Sequence, residues 1–138
     1  MKKQERIKVF LIEVSEEGIP YKGYLTEIDN TLEAKQKIVK GLIQVVNITD
    51  KINIIINDEG KFQEDCPQNR VWVGKDGKVL DVICGNIICA RVTGEEFSDI
   101  FEEDIPVILE TFRAAVYVDG GWIGIPEDSL PEVENKRK

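Results

Sequence analysis

Apolar residues between Arg6 and Ile125 come in short, β-branched runs, each closed by a cluster of turn formers, and this spacing commits the chain to sheet. Arg6–Val14 and Tyr21–Ile28 flank Ser15–Pro20, and Leu42–Ile48 and Ile52–Asn57 flank Thr49–Lys51. Val71–Val73 and Val79–Ile83 flank Gly74–Lys78 with its Asp76-Gly77 pair, and Ala114–Val118 and Trp122–Ile125 flank Asp119–Gly121. Each pair is expected to be a hairpin, because Gly, Asn and Asp supply the turn dihedrals that reverse a strand. The run Ile52–Ile56 has almost no polar face and is expected at the centre of a sheet, buried on both sides. Asn86–Val92 reads as a continuation of the apolar strand through Cys84, with a bulge or close backbone approach at Gly85.

Two segments switch to helical period. After Asp29-Asn30-Thr31, Asn30 and Glu33 have capping-box spacing, and Leu32 and Val39 share a face. Lys35, Lys37 and Lys40 suit the helix dipole and solvent, and Gly41 suits the residue past the end. Further on, Ile105, Ile108, Leu109 and Phe112 form an apolar stripe, with Asp104 as N-cap and Pro106 in the first turn. The expected fold is α+β: a mainly antiparallel mixed sheet of about six to eight strands with two helices. Residues 1–125 are expected to be one domain and residues 126–138 a polar, charged, frayed tail. A chain of 138 residues buries roughly two-thirds of its unfolded surface, so it needs no disulfide or metal to hold a core.

Histidine is absent from the sequence, which removes imidazole acid–base chemistry, Ser-His-Asp and Cys-His nucleophile pairs and nearly all catalytic zinc sites. The formal charge is −8, and it is concentrated. Between Thr93 and Phe112 stand Glu95, Glu96, Asp99, Glu102, Glu103, Asp104 and Glu110, with no base among them. The rest of the chain nearly balances, with small basic clusters at both ends, so a phosphate-tracking stripe is missing and the folded domain is not expected to bind nucleic acid. The charged start is broken by Glu13 before it could serve as a signal peptide, and no run approaches a membrane span. The protein is expected to be soluble and cytoplasmic, without membrane contact.

Cys66, Cys84 and Cys89 are odd in number, and Cys84 and Cys89, if they shared one strand, would lie about 16 Å apart, too far for a bond. They are expected to be reduced and to pack as small hydrophobes. Phosphate-loop, nucleophile-elbow and metal-spacing motifs are absent, so no catalytic residue, metal or cofactor is assigned. What remains is a polar set, Asn57, Glu59, Asn69 and Arg70. As a site, Glu59 would be the base and Arg70 an anion clamp; as structure, the same residues are good turn chemistry and a loop-to-loop clamp.

Four ordered segments carry a resemblance: Val39–Val46, Asn57–Lys61, Pro67–Arg70 and Asp81–Ile88. With the acidic run and helix through Phe112, they resemble the DUF3846 family, small bacterial and phage proteins of unknown function, over roughly Ile7 to Phe112. Lys40 stands where that family more often has a second glycine, and Asp58 where it tends to have Glu. The resemblance implies a phage, plasmid or conjugative-element setting and no catalytic residues.

The leading expectation is a small non-enzymatic binding or regulatory protein. Glu95, Glu96, Asp99, Glu102, Glu103 and Asp104 would face a basic protein partner, for example by mimicking DNA. The alternative is a small-molecule-binding protein, or a histidine-free enzyme, built on Asn57, Glu59, Asn69 and Arg70. A third expectation is self-association through an edge strand or the segment with Trp122. The oligomeric state is left open.

Overall fold

A computed structural model describes residues 5–60 and 66–133 of the chain. Ten strands and two α-helices follow one another: β1 (Arg6–Ile12), β2 (Tyr24–Asp29), α1 (Leu32–Val39), β3 (Ile43–Asn47), β4 (Ile52–Asn57), β5 (Gln68–Val73), β6 (Val79–Cys84), β7 (Ile87–Thr93), β8 (Glu96–Ser98), α2 (Ile105–Thr111), β9 (Phe112–Val118) and β10 (Gly121–Ile125). The four expected hairpins all form, and every strand pairing among the described residues is antiparallel.

The strands divide into two sheets rather than one. The larger runs β2-β1-β7-β4-β3, with β8 against β7, and the smaller runs β10-β9-β5-β6. The break falls where the sequence suggested a continuous strand. Gly85 adopts φ +82°, a value that glycine reaches at little cost, and the chain leaves β6 in the small sheet to enter β7 at the middle of the large one. Cys84 and Cys89 therefore belong to different sheets.

Both faces of the large sheet are covered, which explains why its strands look apolar throughout. Phe10, Ile12, Ile52, Ile54, Ile87 and Cys89 share one core with Ile83, Phe112 and Trp72 of the small sheet and Ile108 of α2. Ile7, Val9, Leu11, Ile55, Ile88 and Ala90 share another with Val39 of α1 and Tyr24 and Ile28 of β2. Each fully buried aliphatic side chain contributes roughly 1.5–3 kcal/mol. The run Ile52–Ile56 is interior as expected, although β7 occupies the middle of the sheet.

α1 departs from expectation in its details. Its cap is Thr31, whose Oγ1 accepts from Ala34 N at 3.1 Å, while Asn30 is buried and receives Lys35 Nζ at 2.7 Å. Lys35 is thus buried, with its ammonium 4.8 Å from the Phe97 ring, rather than a solvated dipole partner. Leu32 is exposed and only Val39 of that pair packs inward, since an eight-residue helix offers the sheet little more than one turn of its surface. The left-handed residue is Lys40, at φ +65°. Gly41 is needed for another reason: a β-carbon there would lie 2.6 Å from Asn57 Nδ2.

In α2 the stripe packs as its spacing predicts, with Phe112 passing into β9. Asp104 stands at the N-terminal boundary but makes no helix cap; its carboxylate turns to Arg91 and Phe101 N. From Pro126 the chain, expected as a tail, lies against the domain. Glu127–Ser129 forms a 3-10 turn, Leu130 is buried, and Lys22 N donates to Pro131 O at 2.8 Å. Residues 134–138 lie outside the described residues.

Candidate functional site

Asn69 and Arg70 follow Gln68 at the start of β5, and both are fully buried. Asn69 Nδ2 donates to Ile12 O at 3.1 Å and Gly85 O at 2.8 Å, tying β1 to the turn between the sheets. Its Oδ1 accepts Arg70 Nη1 at 2.7 Å. Arg70 Nη2 donates to Tyr21 O at 2.7 Å and reaches both Glu127 oxygens at 3.2 Å. Glu127 also accepts from Gly23 N at 2.7 Å, so one arginine joins β5, the β1–β2 connection and the C-terminal segment. Burial draws the Arg70 guanidinium below its ordinary value, and Glu127 pulls it back up. Arg70 Nε has no partner among the described residues, a cost that the other bonds offset.

Asn57, at the end of β4, is the second polar support. Its Nδ2 donates to Val39 O at 3.1 Å and Lys40 O at 3.2 Å, and its Oδ1 accepts Glu59 N at 2.8 Å. These bonds satisfy carbonyls that the end of α1 leaves open. Glu59 itself is exposed on the turn. The structure therefore brings Asn69 and Arg70 together, sets Asn57 at the end of α1, and leaves Glu59 outside both arrangements. Sequence reasoning missed Glu127, because its partner lies 57 positions away and nothing in the local pattern of the last segment marks a half-buried acid.

A cleft of about 780 Å³ opens beside these supports. Val39 and Lys40 form its α1 wall, Asn57 stands at its base, and Cys66, Pro67 and Gln68 with Gly85 and Asn86 form the side nearest the small sheet. Glu16, Glu17 and Gly18 of the β1–β2 connection close it. A second cavity of about 930 Å³ shares Val14, Glu16, Lys40 and Asn86 with it and runs along α1 and β2. Asn86 is held in place, its Oδ1 accepting from Val14 N at 3.0 Å and its Nδ2 donating to Ile38 O at 3.0 Å. Lys40, Glu16, Glu17 and Gln68 are exposed, giving the cleft both signs of charge and an amide.

A family model for a domain of unknown function, DUF3846, matches residues 7–113. The chain belongs to the DUF3846 family. No curated protein and no solved structure matches it. The DUF3846 match takes in both polar supports and the whole cleft, and stops before Glu127. Lys40 lies within the match in a left-handed conformation, where glycine avoids a cost of about 1–2 kcal/mol.

The acidic segment is less uniform than its sequence. Asp104 is buried, and Arg91 grips it with Nε and Nη2, each at 2.7 Å. That bond holds the Asp104 carboxyl below its ordinary value and raises Arg91. Asp99 Oδ1 accepts from Lys8 N at 2.8 Å, and Glu103 lies 3.8 Å from Arg91 Nη2. Glu95, Glu96 and Glu102 are exposed. No helix among the described residues is long and apolar enough to cross a membrane, and no group of three or more metal-ligating side chains forms there.

Proposed function

We propose that the protein is a non-enzymatic binding module, of the phage or mobile-element setting suggested by its resemblance, and that it takes a small polar ligand in the cleft between α1 and the Cys66–Gln68 segment. The observation that carries this reading is convergence. Val39–Lys40, Asn57, Pro67–Gln68 and Gly85–Asn86 come from all four segments of the family resemblance and line one cavity. Asn57, Asn69 and Arg70 act as supports, their amides and guanidinium bonded to backbone, to one another and to Glu127, while Lys40, Gln68, Glu16 and Glu17 supply the contacts. A ligand carrying both a cationic and an anionic or amide group suits that lining.

The test is a thermal-shift screen of the full chain against polar metabolites. Compounds that raise Tm for the wild type should lose their effect in Gln68→Ala and Lys40→Glu, with the ligand-free Tm nearly unchanged. Hits that survive both substitutions, or a screen with none, count against the cleft.

A second reading is favoured by the outward-facing Glu95, Glu96 and Glu102, which could engage a basic protein. Competition with DNA for such a protein at low salt, lost in the triple Gln variant, would support it.

A further inference from the structure

Cys66 and Cys84 both border Gly60. A β-carbon placed on Gly60 would lie 3.4 Å from Cys66 Sγ and 3.5 Å from Cys84 Cβ, and one on Gly85 would lie 3.3 Å from Cys66 Sγ. Cys84 ends β6 and Cys66 just precedes β5 of the same hairpin: Gln68, two residues past Cys66, is the register partner of Cys84, and Gly85 N donates to Pro67 O at 2.8 Å. Cys66 is half-buried and lines the cleft, Cys84 is buried behind it, and Cys89 belongs to the large sheet. None of the three is in a disulfide.

We propose that Cys66 and Cys84 form a disulfide when the protein meets a low-molecular-weight disulfide, tethering the wall of the cleft to the end of β6. Cys66 thiolate attacks one sulfur of the reagent, breaks its S–S bond and releases one thiolate. Cys84 then loses its proton, attacks Cys66 Sγ and releases the second thiolate. Each protein sulfur gives up one electron, and the reagent is reduced to two thiols that take up the two protons.

Burial, reinforced by Cys84 and opposed by Lys40, pushes the Cys66 thiol up to about 11. Glu16 and Glu17 on the opposite wall do nothing to favour the thiolate. The pair is thus a slow tether rather than a fast sensor, and alkaline buffer accelerates it. Closure of the 66–84 loop restricts the unfolded chain, so oxidation raises the denaturation midpoint. The effect on ligand uptake rests on the binding reading above; the bond itself does not.

The experiment incubates the full chain with oxidised glutathione at pH 8.5 and reads intact mass and non-reduced peptide maps. The expected result is a protein two hydrogens lighter, with one linked peptide joining Cys66 to Cys84. The same product should form in Cys89→Ala and vanish in Cys66→Ser, and dithiothreitol should restore the starting mass and midpoint. A persistent glutathione adduct on Cys66, a link through Cys89, or no product while the protein stays folded would overturn the proposal. None of these outcomes depends on a ligand, so failure of the tether and failure of the cleft are separable.

Discussion

Glu127 and Asp104 both lie in acidic segments and both meet an arginine, but the two arginines differ in what else they hold. Arg91 spends its guanidinium on Asp104, with Glu103 nearby and the Phe101 ring 3.8 Å from its carbon, all within thirteen positions of itself. Arg70 divides its donors among Asn69, Tyr21 and Glu127, which stand on three separate stretches of chain. One arginine trims a local cluster of acids; the other closes the molecule beside its cleft. An arginine in a family motif can thus hold three stretches of chain together.

The largest expected effect is at Arg70. Arg70→Met should cost about 3–5 kcal/mol in denaturant unfolding, since it leaves the half-buried Glu127 without its cation and Tyr21 O and Asn69 Oδ1 without a donor. Glu127→Gln should cost clearly less, because an amide oxygen still accepts from Gly23 N. Equal losses in the two variants would mean that the ion pair, not the backbone bonds, is what Arg70 contributes.

Asn57→Ala should follow, at about 1–3 kcal/mol, by opening the Val39 and Lys40 carbonyls and releasing Glu59 N. At Arg91 the contrast appears in pH. The Asp104 carboxyl is depressed below its ordinary value of 3.8, so the stability it confers is complete above that value and is lost as pH falls through the lower folded one. Asp104→Asn should therefore be less stable than wild type at neutral pH and show a flatter acid limb; parallel limbs would mean that the pair contributes nothing. Lys40→Gly should raise stability by about 1 kcal/mol through relief of the left-handed backbone, and a loss would show that the lysine side chain holds the end of α1. Smallest of all, Glu95→Gln should shift stability by no more than about 0.5 kcal/mol.

Much of the fold is legible in the residues. Period-two runs and turn clusters place the strands and all four hairpins, because both signals are local. The split into two sheets is not, since Cys84–Cys89 is apolar on either side of Gly85 and only the positive φ there reveals a crossing. Lys35 misleads for a similar reason: its spacing suits a solvated face, yet Asn30 and the Phe97 ring let it bury. The polar set was visible as Asn57, Asn69 and Arg70, but each amide and guanidinium finds a carbonyl far along the chain, and long-range pairing leaves no periodic trace. The cleft itself is marked in sequence only by the four segments that line it.

The most direct measurement is an amide chemical-shift map of the isotopically labelled chain with a ligand from the thermal screen. Perturbations centred on Lys40, Asn57, Gln68, Gly85 and Asn86, with the Arg70 environment unchanged, are the result expected. Perturbations centred on Glu95–Glu103, with the cleft silent, would contradict the account.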